Sequence, residues 1–289
     1  MNDALLLSLM DSLEGPFYAL DEKVLRNRVS FLRSHLPSKI NLCYAVKANP
    51  FILPELRHEI DRFEICSPGE LHICQSLGLD PKKFVVSGAH KDEQMVANLV
   101  LGNANVGRYT VEPKAQFDSL SHIAQVRGTR ISLLLRLTSG NQFGLDERTV
   151  KDLFGHHRGS AYVDIRGIQF FSGTQKTSLK RLKREVDRLD SFAQMIQKEC
   201  GHRALELEYG PGLPVAYFDS DKFDERSYFG NLSSMLTDMQ FKGSLVIEEG
   251  RSLAADCGTY LTRVVDLKEN ERQRYAIVDG GMHHLVYYG

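Results

Sequence analysis

The stretch INLCYAVKANP, residues 40–50, decides the fold class of this 289-residue chain. It begins with an apolar run of strand character, residues 40–45, then turns polar and ends at Pro50. An open, doubly wound sheet that binds a dinucleotide usually carries a Gly-x-Gly-x-x-Gly fingerprint at such a junction. The junction here lacks glycine and contains Lys47. The doubly wound sheet is therefore only the second alternative.

Seven further apolar runs follow, and segments of helical periodicity separate them. The eight predicted strands cover residues 40–45, 63–66, 84–87, 105–109, 131–137, 163–171, 204–209 and 244–248. Eight repeats of a strand and a helix are typical of a TIM (β/α)8 barrel, because each parallel connection needs a crossover and closure removes exposed strand edges. The sequence therefore predicts an α/β fold with a closed barrel.

The remaining segments suggest how the chain is divided into domains. An N-terminal segment, residues 1–20, is predicted to contain a short strand, and the barrel is predicted to occupy residues 21–252. Two later runs of strand character, residues 253–266 and 275–278, have no helical partner. We therefore expect a β-rich C-terminal domain to begin in residues 253–289.

Composition and charge exclude several classes of protein. Lys and Arg number 36 against 37 Asp and Glu, a formal net charge of -1, so a nucleic-acid partner is not expected. The apolar runs are far shorter than the ~20 residues of a membrane span. Five widely spaced cysteines argue against a disulfide framework and a cysteine zinc site, and no metal is expected. The N-terminus lacks the features of a secretory signal, which favours the cytoplasm.

Polar residues and glycine-rich turns follow the ends of the predicted strands, where barrels of this kind carry their active-site residues. They comprise Lys47, Glu64, Ser67, His90, Lys91, Arg136, Ser172, Gly173, Thr174, Gly210, Pro211, Gly212, Glu248, Gly250 and Arg251. Lys47 is interpreted either as a nucleophile toward a carbonyl carbon or as a rim lysine that pairs with Glu64 or Glu70. The glycines after the last two strands favour a phosphate site, because exposed amides and a helix N-terminus attract anions there.

A lysine that forms a Schiff base, opposite a phosphate site, suggests pyridoxal 5'-phosphate as the cofactor. Glu248 lies next to the predicted phosphate site in the sequence. A carboxylate there is suited to pair with the protonated pyridine nitrogen, which tunes how strongly this cofactor withdraws electrons.

At these residues the chain resembles the fold type III pyridoxal-phosphate-dependent decarboxylases, which include diaminopimelate and ornithine decarboxylases. The motifs that carry the resemblance, in chain order, are CYAVKANP (43–50), FEICSPGEL (63–71), SGAHKDEQM (87–95), LLLRL (133–137), GIQFFSGTQ (167–175), YGPGLPV (209–215) and EEGRSLAADCGTYLTRV (248–264). The resemblance implies an alanine racemase-like barrel that binds pyridoxal phosphate.

The resemblance also implies roles for individual residues. Lys47 is the catalytic, cofactor-bearing lysine, and Arg251 is assigned either to the phosphate or to a substrate carboxylate. The implied cofactor-binding residues are Lys47, Glu64, Arg136, Phe171, Thr174, Gly210, Pro211, Gly212, Glu248, Gly250 and Arg251.

Four positions depart from the family pattern. Phe171 replaces a histidine that stacks on the cofactor, so stacking is kept but hydrogen bonding is lost. Pro211 replaces a glycine and removes one backbone N–H. Glu249 replaces a proline and is expected to add a negative charge near the phosphate, and Gln142 stands where lysine is common. We therefore expect a lowered phosphate affinity.

Three functions remain open at this point. The first is an amino-acid decarboxylase, acting on a free amino acid or on a carrier-protein-tethered or siderophore-related one. An amino-acid racemase is the second, although Pro50, Phe51 and Glu248 differ from the racemase pattern. The third is a cofactor-binding regulatory or inactive barrel.

The family's C-terminal β-domain follows the stretch DGGMHHLVYYG, residues 279–289, and contributes residues across a homodimer interface. Those residues lie beyond this sequence. We therefore expect a truncated chain or a separate second polypeptide, a homodimer at full length, and an incomplete active site in the 289 residues.

Overall fold

A computed structural model describes residues 3–102, 105–201, 204–218, 221 and 223–284. Residues 28–253 form one compact unit, and the described parts of residues 1–27 and 254–289 form a second, smaller one. The domain boundaries predicted from the sequence, after residues 20 and 252, remain a proposal about the whole protein. No helix within the described ranges is long and apolar enough to cross a membrane.

The described part of the chain contains twelve strands. They are β1 (Phe17–Leu20), β2 (Asn41–Ala45), β3 (Arg62–Ile65), β4 (Phe84–Val86), β5 (Arg108–Val111), β6 (Ile131–Arg136), β7 (Val163–Phe171), β8 (Glu206–Gly210), β9 (Ser244–Glu249), β10 (Gly258–Leu261), β11 (Val264–Asn270) and β12 (Gln273–Val278). Strands β2 to β9 close into a barrel in chain order. Parallel pairing of β9 with β2, in which Cys43 lies opposite Glu248, completes the closure. The predicted TIM barrel is confirmed, and the open doubly wound alternative is wrong.

Helices follow every strand of the barrel, as the sequence predicts. The helices are α1 (Asp3–Ser12), α2 (Glu22–His35), α3 (Leu53–Leu56), α4 (Pro68–Ser76), α5 (Glu93–Leu101), α6 (Lys114–Arg127), α7 (Glu147–His156), α8 (Leu179–Cys200), α9 (Glu225–Thr237) and α10 (Arg251–Ala254). The longest, α8, begins where Ser178 accepts a hydrogen bond from the N–H of Arg181 and ends at Gly201, whose φ is 59°.

The fourth strand of the barrel begins later than predicted. Its predicted range was 105–109, whereas β5 begins at Arg108. Gly107 lies so close to Lys82 that a Cβ would come within 2.1 Å of the Lys82 carbonyl oxygen, and it donates its N–H to the carbonyl of Pro81. Asn105 has a positive φ of 46°. Residues 105–107 therefore form a loop, and ladder pairing starts only after it.

The barrel interior contains an apolar layer, and a buried carboxylate lies above it, nearer the carboxyl ends of the strands. Cys43, Val85, Leu134 and Val246 form a fully buried cluster from four strands. Side chains two residues apart on a strand share a face, so Glu248 also points into the barrel, two residues nearer the strand's carboxyl end than Val246. This alternation places Glu248 at the barrel mouth.

The smaller unit is built from antiparallel strands. Strand β1 pairs with β10, and β11 pairs with β12 around a turn in which Glu271 and Arg272 both have positive φ. The predicted strand 253–266 is wrong at its start, because helix α10 and the 3-10 turn Ala255–Cys257 occupy that segment. Its Leu-Ala-Ala sequence consists of strong helix formers, which explains the difference. Residues 285–289 of the quoted C-terminal stretch lie outside the described residues.

Truncating the apolar layer should destabilise the barrel. We expect Leu134→Ala to lower the free energy of unfolding by about 2–5 kcal/mol, since it leaves a cavity in a close-packed interior. Val126→Ala is the control, because Val126 is 65% exposed on α6. Urea denaturation of both variants measures the difference, and equal losses in the two would contradict this description of the core.

Candidate active site

The barrel mouth brings Lys47 against Glu64. Lys47 lies in the 3-10 turn Val46–Ala48 that directly follows β2, and Ala45 is paired with Glu64 of β3. The Lys47 Nζ donates to Glu64 Oε2 at 2.6 Å and lies 3.6 Å from the Cys66 Sγ. The Lys47 side chain is half exposed, whereas the carboxylate of Glu64 is buried. The amine is therefore reachable from solvent while its counter-charge is fixed inside the barrel.

Glu70, the other candidate partner of Lys47, has a different role. It lies in the first turn of α4, whose N-cap is Ser67, and the Ser67 hydroxyl accepts the N–H of Glu70 at 3.2 Å and donates to its carboxylate at 3.1 Å. The Glu70 carboxylate also accepts the N–H of Cys66 at 2.8 Å. Glu70 and Ser67 therefore fix the loop after β3 rather than contact Lys47.

Glu248 is buried near Lys47 and Glu64, on the strand that pairs with β2, and a residue from another strand holds it. Gln169 of β7 donates its Nε2 to Glu248 Oε2 at 3.0 Å. Burial, reinforced by the charge of Glu64, raises the pKa of Glu248 to about 7. Burial alone would lower the pKa of Lys47, but the Glu64 and Glu248 carboxylates outweigh it and raise that pKa. The barrel mouth is therefore rich in carboxylate and favours a bound cation.

One more carboxylate lies deeper in the barrel. Glu208 of β8 is paired with Val246 and is fully buried. Its nearest cation is Arg62, at 3.6 Å, and neither of its oxygens has a hydrogen-bond partner among the described residues. Burial, together with the charge of Glu248, raises the pKa of Glu208 well above its usual range. Burial therefore disfavours the ionised form of Glu208, which lies below Glu248.

Arg136 and Lys91 lie at the same end of the barrel but are already engaged. The Arg136 guanidinium is 2.9 Å from a carboxylate oxygen of Glu112 and packs over the ring of Phe143. Lys91 is buried and donates to the carbonyl of Gly88 at 2.9 Å, to Gln116 Oε1 at 3.1 Å and to a threonine hydroxyl. Burial lowers the pKa of Lys91 to about 8. His90, next to it, is exposed.

Glycines keep the loops after β7 and β8 in close contact. A Cβ on Gly210 would come within 2.7 Å of the ring of Phe171, the last residue of β7. Gly212 has a φ of 63°, and a Cβ there would lie 2.0 Å from the Gly173 carbonyl oxygen and 2.9 Å from the Cα of Thr174. Both loops therefore meet at their backbones, with Thr174 exposed at the edge.

The loop after β9 lies directly beside the turn that carries the lysine. A Cβ on Gly250 would come within 3.2 Å of the Cβ of Ala48 and 3.4 Å of that of Ala45. Arg251, the next residue, is exposed and lies over the ring of Tyr217, 5.9 Å from its centre. Pro211 is buried in the neighbouring loop.

The expected negative charge of Glu249 is largely absent at neutral pH. The Glu249 side chain is buried, and the hydroxyl of Ser252 donates to one of its carboxylate oxygens. Burial raises the pKa of Glu249 to about 8, so it is mostly protonated at pH 7. At pH 7 Glu249 therefore carries little of the negative charge that was expected to weaken phosphate binding.

Three polar residues of this region escaped the sequence analysis. Gln169 lies inside the strand predicted over residues 163–171, among apolar residues that give it no separate signal. Glu112 directly follows β5, so the end of a correctly placed strand would have marked it. Glu208 alternates with Glu206 along β8, and that period of two places both inside the barrel.

The donor set fits a cofactor with an aldehyde, a cationic ring nitrogen and a phosphate. Lys47 supplies an amine, Glu248 a buried carboxylate whose raised pKa makes a cationic partner favourable, and the glycine loops leave backbone room that a Cβ would fill. Gln169 Oε1, beside Glu248, is buried with no hydrogen-bond partner among the described residues. No group of three metal-ligating side chains occurs in the described ranges.

Comparison with known families agrees with this chemistry. A profile of the family described as "Pyridoxal-dependent decarboxylase, pyridoxal binding domain" matches residues 22–255. The diaminopimelate decarboxylase of Aquifex aeolicus is 25% identical over 97% of this chain and 70% of its own length. That of Pseudomonas aeruginosa is 30% identical over 85% of this chain and 62% of its own length. The chain thus spans about two thirds of the length of these relatives.

Solved structures share the fold. A crystal structure of a protein from Aquifex aeolicus superposes with a TM-score of 0.87 at 26% identity, covering 97% of this chain and 69% of that one. Lysine decarboxylase from Selenomonas ruminantium superposes with a TM-score of 0.86 at 22% identity, covering 98% and 74%.

The buried acids predict how stability depends on pH. Glu249 binds its proton more tightly in the folded chain, where its pKa is about 8, than at its ordinary value of 4.5. The stability that this tighter proton binding contributes is complete below pH 4.5 and is lost as the pH rises through about 8. We therefore expect the free energy of unfolding of the cofactor-free chain to fall between about pH 5 and pH 8 more steeply in wild type than in Glu249→Gln.

The exposed Glu59 supplies the control, since Glu59→Gln should leave the slope unchanged. Denaturant titrations at several pH values measure all three proteins. A wild-type slope equal to that of Glu249→Gln would show that Glu249 is not held protonated.

Proposed function

Since the chain belongs to the pyridoxal-dependent decarboxylase family, we propose that it is a pyridoxal-phosphate-dependent amino-acid decarboxylase with Lys47 as the cofactor-bearing residue. The observation that carries the proposal is the Lys47 amine, held 2.6 Å from a buried carboxylate at the barrel mouth that also contains Glu248. An amine for a Schiff base and an acidic partner for the pyridinium nitrogen are recognisable features of proteins that bind this cofactor.

Different residues are proposed to bind different parts of the cofactor. Lys47 would bind its aldehyde, Glu248 would pair with its ring nitrogen, and Phe171 would stack on its ring. The phosphate is assigned to the backbone and side chains of Thr174, Gly210, Pro211, Gly212, Gly250 and Arg251, while Glu64 and Arg136 complete the charged wall of the site. Bound pyridoxal phosphate supplies an electron-withdrawing ring that accepts the electron pair left when a carboxylate departs as carbon dioxide.

The chain's own groups control the protons in this scheme. Glu64 accepts a hydrogen bond from the Lys47 ammonium and is the nearest acceptor for its proton when the amine must become a nucleophile. Glu248 would pair with the ring nitrogen, and an opposite charge there would favour both the ionised carboxylate and the protonated nitrogen. Lys47 Nζ, which is half exposed at the barrel mouth, would be placed to return a proton to the substrate carbon that lost its carboxylate.

The names of the relatives support an amino acid as the proposed substrate. The curated relatives act on diaminopimelate by name, and lysine decarboxylases share the fold. We therefore propose a free or carrier-tethered amino acid as substrate and a homodimer as the active form of the whole protein. Its cysteines are free within the described residues, which is compatible with the cytoplasmic location that we propose.

Lys47 should be the residue that holds the cofactor. We expect borohydride reduction of the protein mixed with pyridoxal phosphate to leave the cofactor covalently attached to Lys47, because this amine is exposed while the competing Lys91 is buried and fully hydrogen-bonded. Peptide mapping identifies the labelled lysine. Lys47→Ala should abolish labelling and Lys39→Ala should not, whereas label on Lys91 would refute the assignment.

Glu248 should be needed for turnover. We expect Glu248→Gln to lower the rate of carbon dioxide release by about 100-fold, the order of effect of removing one pre-organised electrostatic contact from an active site. The adjacent Glu249→Gln is a matched control, because successive strand residues point to opposite faces.

The substrates for this assay are diaminopimelate, lysine, ornithine, arginine and carrier-tethered glutamate. Full activity in Glu248→Gln would rule out the proposed pairing. In assays of the whole protein, loss of optical activity without carbon dioxide release would point to the racemase, and cofactor binding without either reaction would favour the regulatory barrel.

A further inference from the structure

A buried ionic cluster lies behind the loop that follows β7, outside the proposed cofactor contacts. The Lys176 Nζ donates to Ser172 Oγ at 2.9 Å and to Glu185 Oε2 at 2.7 Å. The hydroxyl of Tyr209, on β8, donates to the same carboxylate at 2.8 Å. The Lys176 side chain is 1% exposed, so the cluster is cut off from solvent on the side of its ammonium group.

The main chain of Lys176 makes two further connections. Its N–H donates to the carbonyl of Gly212 at 2.9 Å, and its carbonyl accepts the hydroxyl of Tyr228, on α9, at 2.6 Å. The preceding residue, Gln175, exchanges a pair of side-chain hydrogen bonds with the backbone of Val215, at 2.7 and 3.1 Å. The loops after β7 and β8 are thus fastened to each other and to two helices.

The charges of the cluster leave an excess of one positive charge beside Ser172. Glu185 accepts hydrogen bonds from Lys176 and also lies 3.2 Å from the Arg181 Nε. Arg181 in turn donates to the Ser172 carbonyl at 2.9 Å. Burial alone would raise the pKa of Glu185, but the hydrogen bonds from Lys176, Ser172 and Tyr209 outweigh it and lower that pKa. Two cations and one carboxylate therefore flank the start of the loop that carries Thr174.

We propose that Lys176 is a positioning residue for anion binding: it fixes the loops of residues 172–174 and 210–212 at the spacing that receives the cofactor's phosphate. The inference rests on the proposed function, because that function supplies the phosphate. Loops that are ordered before the ligand arrives lose less conformational entropy on binding, so the built cluster raises affinity for the phosphate group in particular. Lys176 is not among the residues predicted from the sequence, because its contact with Glu185 of α8 is visible only in the folded chain.

The test separates the phosphate from the rest of the cofactor. Binding of pyridoxal phosphate and of pyridoxal, which lacks the phosphate, is measured by absorbance titration and by borohydride labelling of Lys47. We expect Lys176→Met to weaken binding of pyridoxal phosphate by tenfold or more and to change binding of pyridoxal by less than about twofold. Lys180→Met, which removes an exposed lysine from α8, is the matched control and should change neither.

A second variant keeps the test valid if the first one fails to fold. Removing one partner of a buried ion pair leaves an uncompensated charge, whereas replacing both partners removes the pair without that cost. Lys176→Met combined with Glu185→Leu should therefore fold and still lose selectivity for the phosphate. Equal weakening for both compounds, or none for either, in this double variant would overturn the inference alone. A wild-type protein that binds neither compound would overturn the proposed function, and the inference with it.

Discussion

The hydrogen-bonded ion pair between the Lys47 Nζ and Glu64 Oε2, 2.6 Å apart, is the contact on which the arrangement of the site depends. It forms because β2 and β3 run parallel with Ala45 opposite Glu64, so the turn after one strand lies above the carboxylate of the next. The same barrel closure pairs Cys43 with Glu248 and brings the last strand beside the first. Residues about 200 positions apart in sequence therefore meet at one mouth, where Gly250 packs against Ala45 and Ala48 on either side of the lysine.

The second constraint is electrostatic. Glu64, Glu208 and Glu248 all lie buried in the barrel, and two of them have pKa values raised by burial. Burial favours the protonated form of Glu208 and of Glu248. A cationic ring nitrogen next to Glu248 would reverse this, because it makes the ionised carboxylate favourable. The energetics of the barrel interior and the proposed chemistry thus depend on the same side chains.

The apolar strand runs and the helical segments between them were enough to predict the barrel. The lysine, glutamate and glycine residues that follow those runs in the sequence were enough to predict the residues at the strand ends. This pattern placed Lys47, Glu64, Glu248 and the glycines of residues 210, 212 and 250. Prediction from the sequence failed where packing between distant parts of the chain decides the structure. The start of β5 depends on how Gly107 meets the backbone of Lys82. The contact of Gln169 with Glu248 joins two strands, and that of Lys176 with Glu185 joins a loop to α8, so no spacing along the chain reveals them.

The central claim is that one barrel mouth holds the aldehyde, ring nitrogen and phosphate of pyridoxal phosphate at three fixed places. A crystal structure of the protein with this compound tests it most directly. The account predicts a covalent bond from Lys47 Nζ to the carbonyl carbon, a Glu248 oxygen within about 3 Å of the ring nitrogen, and the phosphate against the loops of residues 172–174 and 210–212. A ring nitrogen facing away from Glu248, or a phosphate bound at the opposite end of the barrel, would contradict it.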